Sequence, residues 1–472
     1  MKKIKIITTG LLIGIVSMAN AQSLSLKQCV ETAINNNLQV RQAGYQAESD
    51  KVSYQQAKGN QLPYLNASVY HGANQGRSID PFTNSYVTQN INFANYDINT
   101  GITIWNGSSI QNNIKQAELG YKASQMDWQQ TKDNITITVI LAYLQVLSAQ
   151  EQLTITKNQV EVSRNQVSRL ETLNNSGAIA PSVLYDLRGQ FSSDELGVIN
   201  AKNALESAKI NLAQLMNVTY NSQMQLEPIT IGNSPVLYDG TADNIYTTAT
   251  QQLAIVKAAE FRHKSAEKRV LTAKGQLLPT LSFNGGFGTN YSSLASTQQL
   301  IGSNDVTTKD YVSVSGTKYN VMSPQNNYQS QKISYGDQWK NNFSSALSIG
   351  LQVPILNGLL AKSRVKQAEI AEKRTSFESQ TVKTQLRQLV DQAYVNMTSA
   401  FERFQVLQRQ TDDLTKSFKA AEVRFNAGVN TSVDYLVAKN ALDRATSNFI
   451  NAKYDYVLRS KVLDFYQGKQ LW

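Results

Sequence analysis

The sequence predicts a mainly α-helical chain, internally duplicated, with four strands that contribute to a membrane β-barrel. Three observations carry this. Blocks of the first half return in the second at an offset of 251: Asn106-Gly107 as Asn357-Gly358, Lys115-Gln116-Ala117-Glu118 as Lys366-Gln367-Ala368-Glu369, and Ala142-Tyr143 as Ala393-Tyr394. Upstream, Ala57-Lys58-Gly59 and Leu62-Pro63 return as Ala273-Lys274-Gly275 and Leu278-Pro279 at an offset of 216, so a 35-residue insertion lies between the blocks. Two equally long stretches, 108–174 and 359–425, contain no proline and share a single glycine, Gly120. Finally, four segments between the helical stretches alternate apolar and polar residues. A duplicated unit that cannot bury its own apolar faces needs its copy, or further copies, beside it.

Residues 1–21 read as a secretory signal. Lys2, Lys3 and Lys5 form a charged start, Ile6 to Val16 an apolar core, and Ala19-Asn20-Ala21 a small-residue cleavage site. No other stretch approaches the ~18 apolar residues of a spanning helix, so a membrane crossing falls to the strands. The single cysteine, Cys29, rules out an intrachain disulfide and is expected as a small apolar residue on a helix face. The net charge of +10 includes the three leader lysines and is spread along helices rather than clustered, which argues against a nucleic-acid partner.

The two long stretches are helices of roughly 100 Å at 1.5 Å per residue. Their apolar seams step by four and three. The first runs Ile135, Val139, Ala142, Val146, Ala149, Leu153, and the second Leu386, Val390, Ala393, Met397, Ala400, Phe404. That 3.5-residue period specifies a left-handed coiled coil. Shorter helices are expected at 24–58, 182–216, 243–274 and 432–466, stacked in pairs beside the long ones. A linker, 217–242, contains Pro228, Pro235 and Gly240, and the repeats divide as 22–232 and 233–472.

The expected strands are 64–74, 91–105, 281–291 and 343–355. In the last, Phe343, Leu347, Ile349, Leu351, Val353 and Ile355 fall on one face, and Asn342, Ser344, Ser348 and Gln352 on the other. Alternating segments of about ten residues mark an outer-membrane barrel; a soluble sandwich with one wet face is the alternative. Pro63 and Pro279 end helices and open strands, and Gly107 and Gly358, each after an asparagine, do the converse. Four strands cannot close a barrel, and open edges in hydrocarbon leave backbone groups unpaired. Several chains must therefore share one barrel. Of the strand-joining loops, 75–90 is short, whereas 292–341, rich in Ser, Asn, Gln and Tyr, is long enough for its own hairpin.

Taken in order and doubled, these features resemble the TolC-type outer-membrane efflux channels over residues 24–467. The opening helix Leu24 to Asn37, the Leu-Pro-x-Leu steps at Leu62 and Leu278, and the turns Asn175-Ser176-Gly177 and Asn426-Ala427-Gly428 carry the likeness. The resemblance implies a homotrimer whose shared 12-stranded barrel, set in outer-membrane lipid, continues into a long α-helical coiled-coil tunnel. It also implies a periplasmic adaptor and an inner-membrane pump, RND-type or secretion ATPase, as partners. The turns Asn175, Gly177, Ala178 and Asn426, Ala427, Gly428 would meet the adaptor. For the tunnel gate, Asp434 matches an inner acidic ring, Asn430 stands where some members have arginine, and Phe425 where they have tyrosine. Val437 occupies a second ring position, and Val183 stands where an aspartate is common, with Asp186 one turn on. Ser182-Val183 against Ser432-Val433 gives an offset of 250, a one-residue slip between the two turns.

An enzyme is not expected. The two histidines, His71 and His263, lack ligand-spaced partners, no nucleophile elbow or phosphate loop is present, and no cofactor or metal is implied. A periplasmic adaptor or structural coiled coil without its own barrel would explain the heptads but not the apolar face of 343–355.

Overall fold

The computed structural model describes residues 23–80, 84–88, 90–229 and 235–471. The expected leader, 1–21, and the division between the repeats at 232/233 lie outside these residues. In chain order the elements are α1 (Leu26–Asn36), α2 (Leu38–Gly59), β1 (Tyr64–Asn74), β2 (Arg77–Ile79), β3 (Tyr86–Thr88), β4 (Ile91–Trp105), α3 (Ser109–Asn175) and α4 (Pro181–Met216). They continue with α5 (Ala242–Gln252), α6 (Ala254–Gly275), β5 (Thr280–Ser292), β6 (Ser296–Val314), β7 (Thr317–Lys332), α7 (Tyr335–Asn341), β8 (Ser344–Gln352), α8 (Leu360–Asn426) and α9 (Ser432–Tyr466). They form two compact units. One is helical and holds the chain up to Lys51, Leu119–Lys264 and the chain from Lys373; the other holds Val52–Glu118 and Ser265–Glu372.

In the helical unit the heptad seams are filled from within the chain. Val139, Tyr143 and Val146 of α3 pack with Cys29, Val30 and Ala33 of α1 and Leu205 and Leu212 of α4. Val390, Ala393 and Met397 of α8 pack with Ile245 and Ala249 of α5 and Leu463 of α9. Fully burying a side chain of this size contributes about 1.5–3 kcal/mol. Burial also pushes the Cys29 thiol up to about 11, which keeps it protonated and unreactive. The Tyr143 hydroxyl reaches the carbonyls of Glu227 (2.7 Å) and Leu24 (3.0 Å), tying the described part of the linker to the start of α1.

The expected single helices 24–58 and 243–274 are each interrupted, at Asn37 and at Leu253. Both residues are extended (ψ 129° and 136°). Asn37 Oδ1 accepts from the amides of Gln39 (2.9 Å) and Val40 (3.3 Å), so its side chain caps α2 in place of continuing α1. Leu253 has no such group; its side chain is instead buried in the cluster that includes Leu386, Val390 and Met397 of α8.

In the second unit the four-stranded sheet has the order β1-β4-β5-β8, antiparallel throughout. Directly paired residues share a face. The row Leu65–Thr100–Gly285–Leu347 and the row Ala67–Ile98–Phe287–Ser345 lie on one side, with Val69, Tyr96 and Ile349. Asn66–Asn99–Gly286–Ala346 and Ser68–Asp97–Gly288–Ser344 lie on the other. β8 stops at Gln352, short of the expected 355, because Pro354 has no amide to donate to a ladder. β5 extends past the expected strand at both ends, and β4 carries a bulge between Thr103 and Trp105. The long loop holds the hairpin β6–β7 and the short α7, and the short loop holds the β2–β3 ribbon. Gln338 of α7 exchanges two bonds with the Ser292 backbone (2.9 and 3.0 Å), which fixes α7 on the end of β5.

Candidate functional site

Two places bring chemistry together, and they belong to different units. The first is the pair of helix reversals, α3 to α4 and α8 to α9. Both close with a left-handed glycine, Gly177 (φ +71°) and Gly428 (φ +74°). In each, the residue after the glycine donates back into the last turn of the helix, Ala178 to Leu173 O and Val429 to Arg424 O, both at 2.9 Å. This is the Schellman ending of a helix, which only glycine adopts without strain.

Beyond the glycines the reversals differ. α9 has Thr431 as N-cap. The Asp434 amide donates to Thr431 Oγ1 (3.2 Å), and Asp434 Oδ2 accepts from the Thr431 amide (3.1 Å) and hydroxyl (2.7 Å). Those bonds hold the exposed Asp434 carboxyl below its ordinary range. α4 begins at Ala180 with no side-chain cap. The N-caps, Ala180 and Thr431, stand at the same offset of 251 as the rest of the downstream repeat, so the backbones match without the one-residue slip expected from sequence. Val183 occupies the position of Asp434.

The reversals are joined by a small core of Val167, Leu170, Leu184, Leu187, Phe425 and Tyr435. Phe425 is buried in it, stacked on Tyr435 with centroids 4.9 Å apart. Asn426 is held by Arg169, whose Nη2 donates to its carbonyl (2.6 Å) and whose Nη1 donates to Oδ1; Gln166 Nε2 also reaches Oδ1 (3.1 Å). Asp186 accepts from Ser432 Oγ (3.0 Å), linking α4 to the start of α9. Asn430 is half-buried, whereas Asn175, Gly177, Ala178, Ala427 and Gly428 are exposed.

A buried charge cluster lies deeper on the same helices and was missed by sequence reasoning. Lys439 Nζ donates to Asp194 Oδ2 and Asp443 Oδ2, both at 2.8 Å, with the lysine side chain only 2% exposed. Ser163 also donates to Asp194, and Gln190 Nε2 reaches its other oxygen (2.7 Å). Burial raises the Asp443 carboxyl, with the lysine opposing it. The available signal was a lysine on an apolar seam, between Tyr435 and Leu442, with an aspartate one helical turn on at Asp443.

The second place is the sheet and its junctions. On the apolar face Leu65, Val69, Leu347, Ile349 and Leu351 are each about two-thirds exposed or more (65–72%). Pro63 and Pro279 immediately precede β1 and β5. The Asn-Gly turns each place two residues at positive φ: Gly107 (+63°) with Ser108 (+61°), and Gly358 (+61°) with Leu359 (+66°). Asn106 Oδ1 then accepts from the Ile110 amide (3.2 Å), starting α3. A Cβ on Gly107 would stand 2.6 Å from Gly275 O and 2.7 Å from the Leu278 Cβ. At Gly358, and at Gly59, a Cβ would meet nothing within 4 Å. Among the described residues no helix is long and apolar enough to cross a membrane, and no His, Cys, Asp or Glu group could hold a metal.

Comparison with known proteins gives a consistent result. The family model described as outer membrane efflux protein matches residues 29–218 and 245–469. Outer membrane protein TolC of Vibrio cholerae serotype O1 is 22% identical over 460 residues, covering 97% of this chain and 93% of that protein. Outer membrane protein TolC of Escherichia coli K12 is 21% identical over 466 residues, covering 97% and 85%. The crystal structure of CusC superimposes with a TM-score of 0.75 at 15% identity, covering 94% of this chain and 92% of that one. At that identity it speaks to fold.

Proposed function

This chain belongs to the outer membrane efflux protein family, and from that premise we propose that three copies form one channel, a passive exit duct through the outer membrane of a Gram-negative-type bacterium. The observation that carries the reading is the open sheet: four antiparallel strands with an apolar face, a polar face and two unpaired edges. An even number of antiparallel strands leaves edges that run in opposite directions, so copies can join edge to edge without a parallel pair. Three copies of four strands give twelve, where two would give about eight and little lumen. The apolar face meets lipid and the polar face, with Asp97, lines water. Each half of the chain supplies one long helix and its short partners to a periplasmic tunnel.

The duct carries small molecules or proteins delivered by an inner-membrane pump, of the RND type or a secretion ATPase, through a periplasmic adaptor. The turns at Asn175–Ala178 and Asn426–Gly428 are the adaptor's contacts. Asp434 is the gate carboxylate: three of them converging on an axis favour cations. Asp186 and Asn430 position the same turn, and Phe425 anchors it from inside.

The test is conductance. Protein purified in detergent and added to a planar lipid bilayer should open stable ion-conducting steps, and Asp434→Ala should change basal conductance or its block by cations. A protein that fractionates as a soluble periplasmic species and leaves the bilayer silent would instead be an adaptor or structural coiled coil.

A further inference from the structure

We infer that the β8 edge of one copy pairs with the β1 edge of the next in a single register, with Leu351 opposite Val69 and the Gly358 turn seated against Gly59. This rests on the channel reading above and specifies its interface residue by residue.

A relation inside the chain sets the register. Ala67 pairs with Ile98. Moved by the sequence offsets of 216 and 251, these positions become Phe283 and Ile349, which are themselves paired. Leu65–Thr100 likewise becomes Leu281–Leu351, and Val69–Tyr96 becomes Gly285–Leu347, both observed pairs. The β1–β4 register therefore reproduces the β5–β8 register without adjustment. One ladder remains, β4 with β5, which joins the first half to the second. Its image under the same offsets joins β8 to β1. Those two strands are opposite edges of the sheet, so the pairing needs a second copy. Thr100–Gly285, Ile98–Phe287 and Gly101–Asn284 give Leu351–Val69, Ile349–His71 and Gln352–Ser68.

The faces are consistent with this register, and the junction tests it independently. Val69 and His71 already share the apolar face with Leu351 and Ile349, while Ser68 and Gln352 share the polar one. A slip of one residue would reverse every side chain; the parity that avoids it follows from the three ladders within the chain. A slip of two residues preserves faces but moves the strand by about 7 Å, and the junction excludes it. Gly107 lies against Gly275 within the chain, backbone to backbone; the images are Gly358 and Gly59, and both sites are empty in the single chain. Leu278, which closes over Gly107, has Leu62 as its image, and Leu62 is 70% exposed. The bare junction has the shape of the filled one, with its contents missing.

The test is cysteine pairing in a Cys29→Ala chain expressed in its membrane. Ser68→Cys with Gln352→Cys is the in-register pair; Ser68→Cys with Gly350→Cys is displaced by two. After treatment with a short bis-methanethiosulfonate, the first should give covalent dimers and trimers on denaturing gels at least tenfold faster than the second. Detergent-extracted protein that is oligomeric but links equally in both pairs, only in the displaced pair, or in neither overturns the register and leaves the channel reading standing. Protein that is not oligomeric at all overturns both.

Discussion

Gly107 in the first half of the chain lies against Gly275 and Leu278, while a Cβ on Gly358, its counterpart in the second half, would meet nothing within 4 Å. At the helix reversals the order is the opposite. Asn426 and Thr431 in the second half are held by Arg169 and Asp434, while α4 in the first half starts without a side-chain cap. The two contrasts have different origins. At the reversals the sequence itself differs, with Ala180 and Val183 standing for Thr431 and Asp434. At the junctions the Asn-Gly pair and the backbone angles agree although the flanking residues differ, and the neighbour is missing. On the channel reading, a bare site whose twin is packed marks where another copy belongs; a bare site whose residues have changed marks local divergence.

The largest expected contrast separates two matched cations. Lys439→Met strands two carboxylates in a site with almost no water and should destabilise the helical unit by about 3–5 kcal/mol. Arg188→Met, at the equivalent position but in a half-exposed pair with Glu171, should cost under about 1 kcal/mol. Thermal unfolding followed by far-ultraviolet circular dichroism reads both, and equal effects would break the comparison.

Next come the glycines. Gly107→Val adds backbone strain and overpacks the Gly275 contact, about 2–5 kcal/mol together, and should lower the yield of folded chain. Gly358→Val carries only the strain, about 1–2 kcal/mol; it should leave chain folding intact while the oligomer is lost in size-exclusion chromatography.

A smaller effect follows from the caps. Thr431→Ala should cost about 1 kcal/mol and Ala180→Thr should gain up to about that amount, both read from denaturant unfolding. The smallest is a pH effect. Asp434 is held below its ordinary value, so its contribution is complete above the ordinary carboxylate range and is lost only as pH falls through the lowered value. Asp443 has the opposite sign: burial raises it, so the cost of its charge is present above the raised value and is relieved as pH falls. Amide protection in the first turn of α9, taken relative to the intrinsic exchange rate at each pH, should fall in acid in the native protein and lose that acid dependence in Asp434→Asn. Asp443→Asn should flatten the opposing slope of stability.

What sequence made legible was periodic. The heptad seams from Ile135 and from Leu386, and the alternation in 343–355, reach structure almost unchanged because burial of one face depends on local spacing. Two features were not readable, nor were the bounds of a third, the hairpin expected within 292–341. Leu253 interrupts a helix with no proline or glycine near it, since the deciding contact is with residues far along the chain. Asp194 meets Lys439 across 245 residues, a pairing no local pattern encodes. The strands of the β6–β7 hairpin are exposed, and their apolar residues, such as Leu300, Ile301, Val306 and Val312, do not alternate, so nothing in the pattern places them. At the reversals, Asp434 is legible as a carboxylate of interest, but spacing locates its cap only to the neighbourhood of residues 430–432, within which Thr431 takes the role.

The central claim is that one chain is a fraction of a closed wall, and the mass of the particle in detergent tests it most directly. Light scattering with the detergent contribution subtracted should return three protein copies per particle. A stable, folded single chain, with both edges of the sheet still unpaired, would contradict the account.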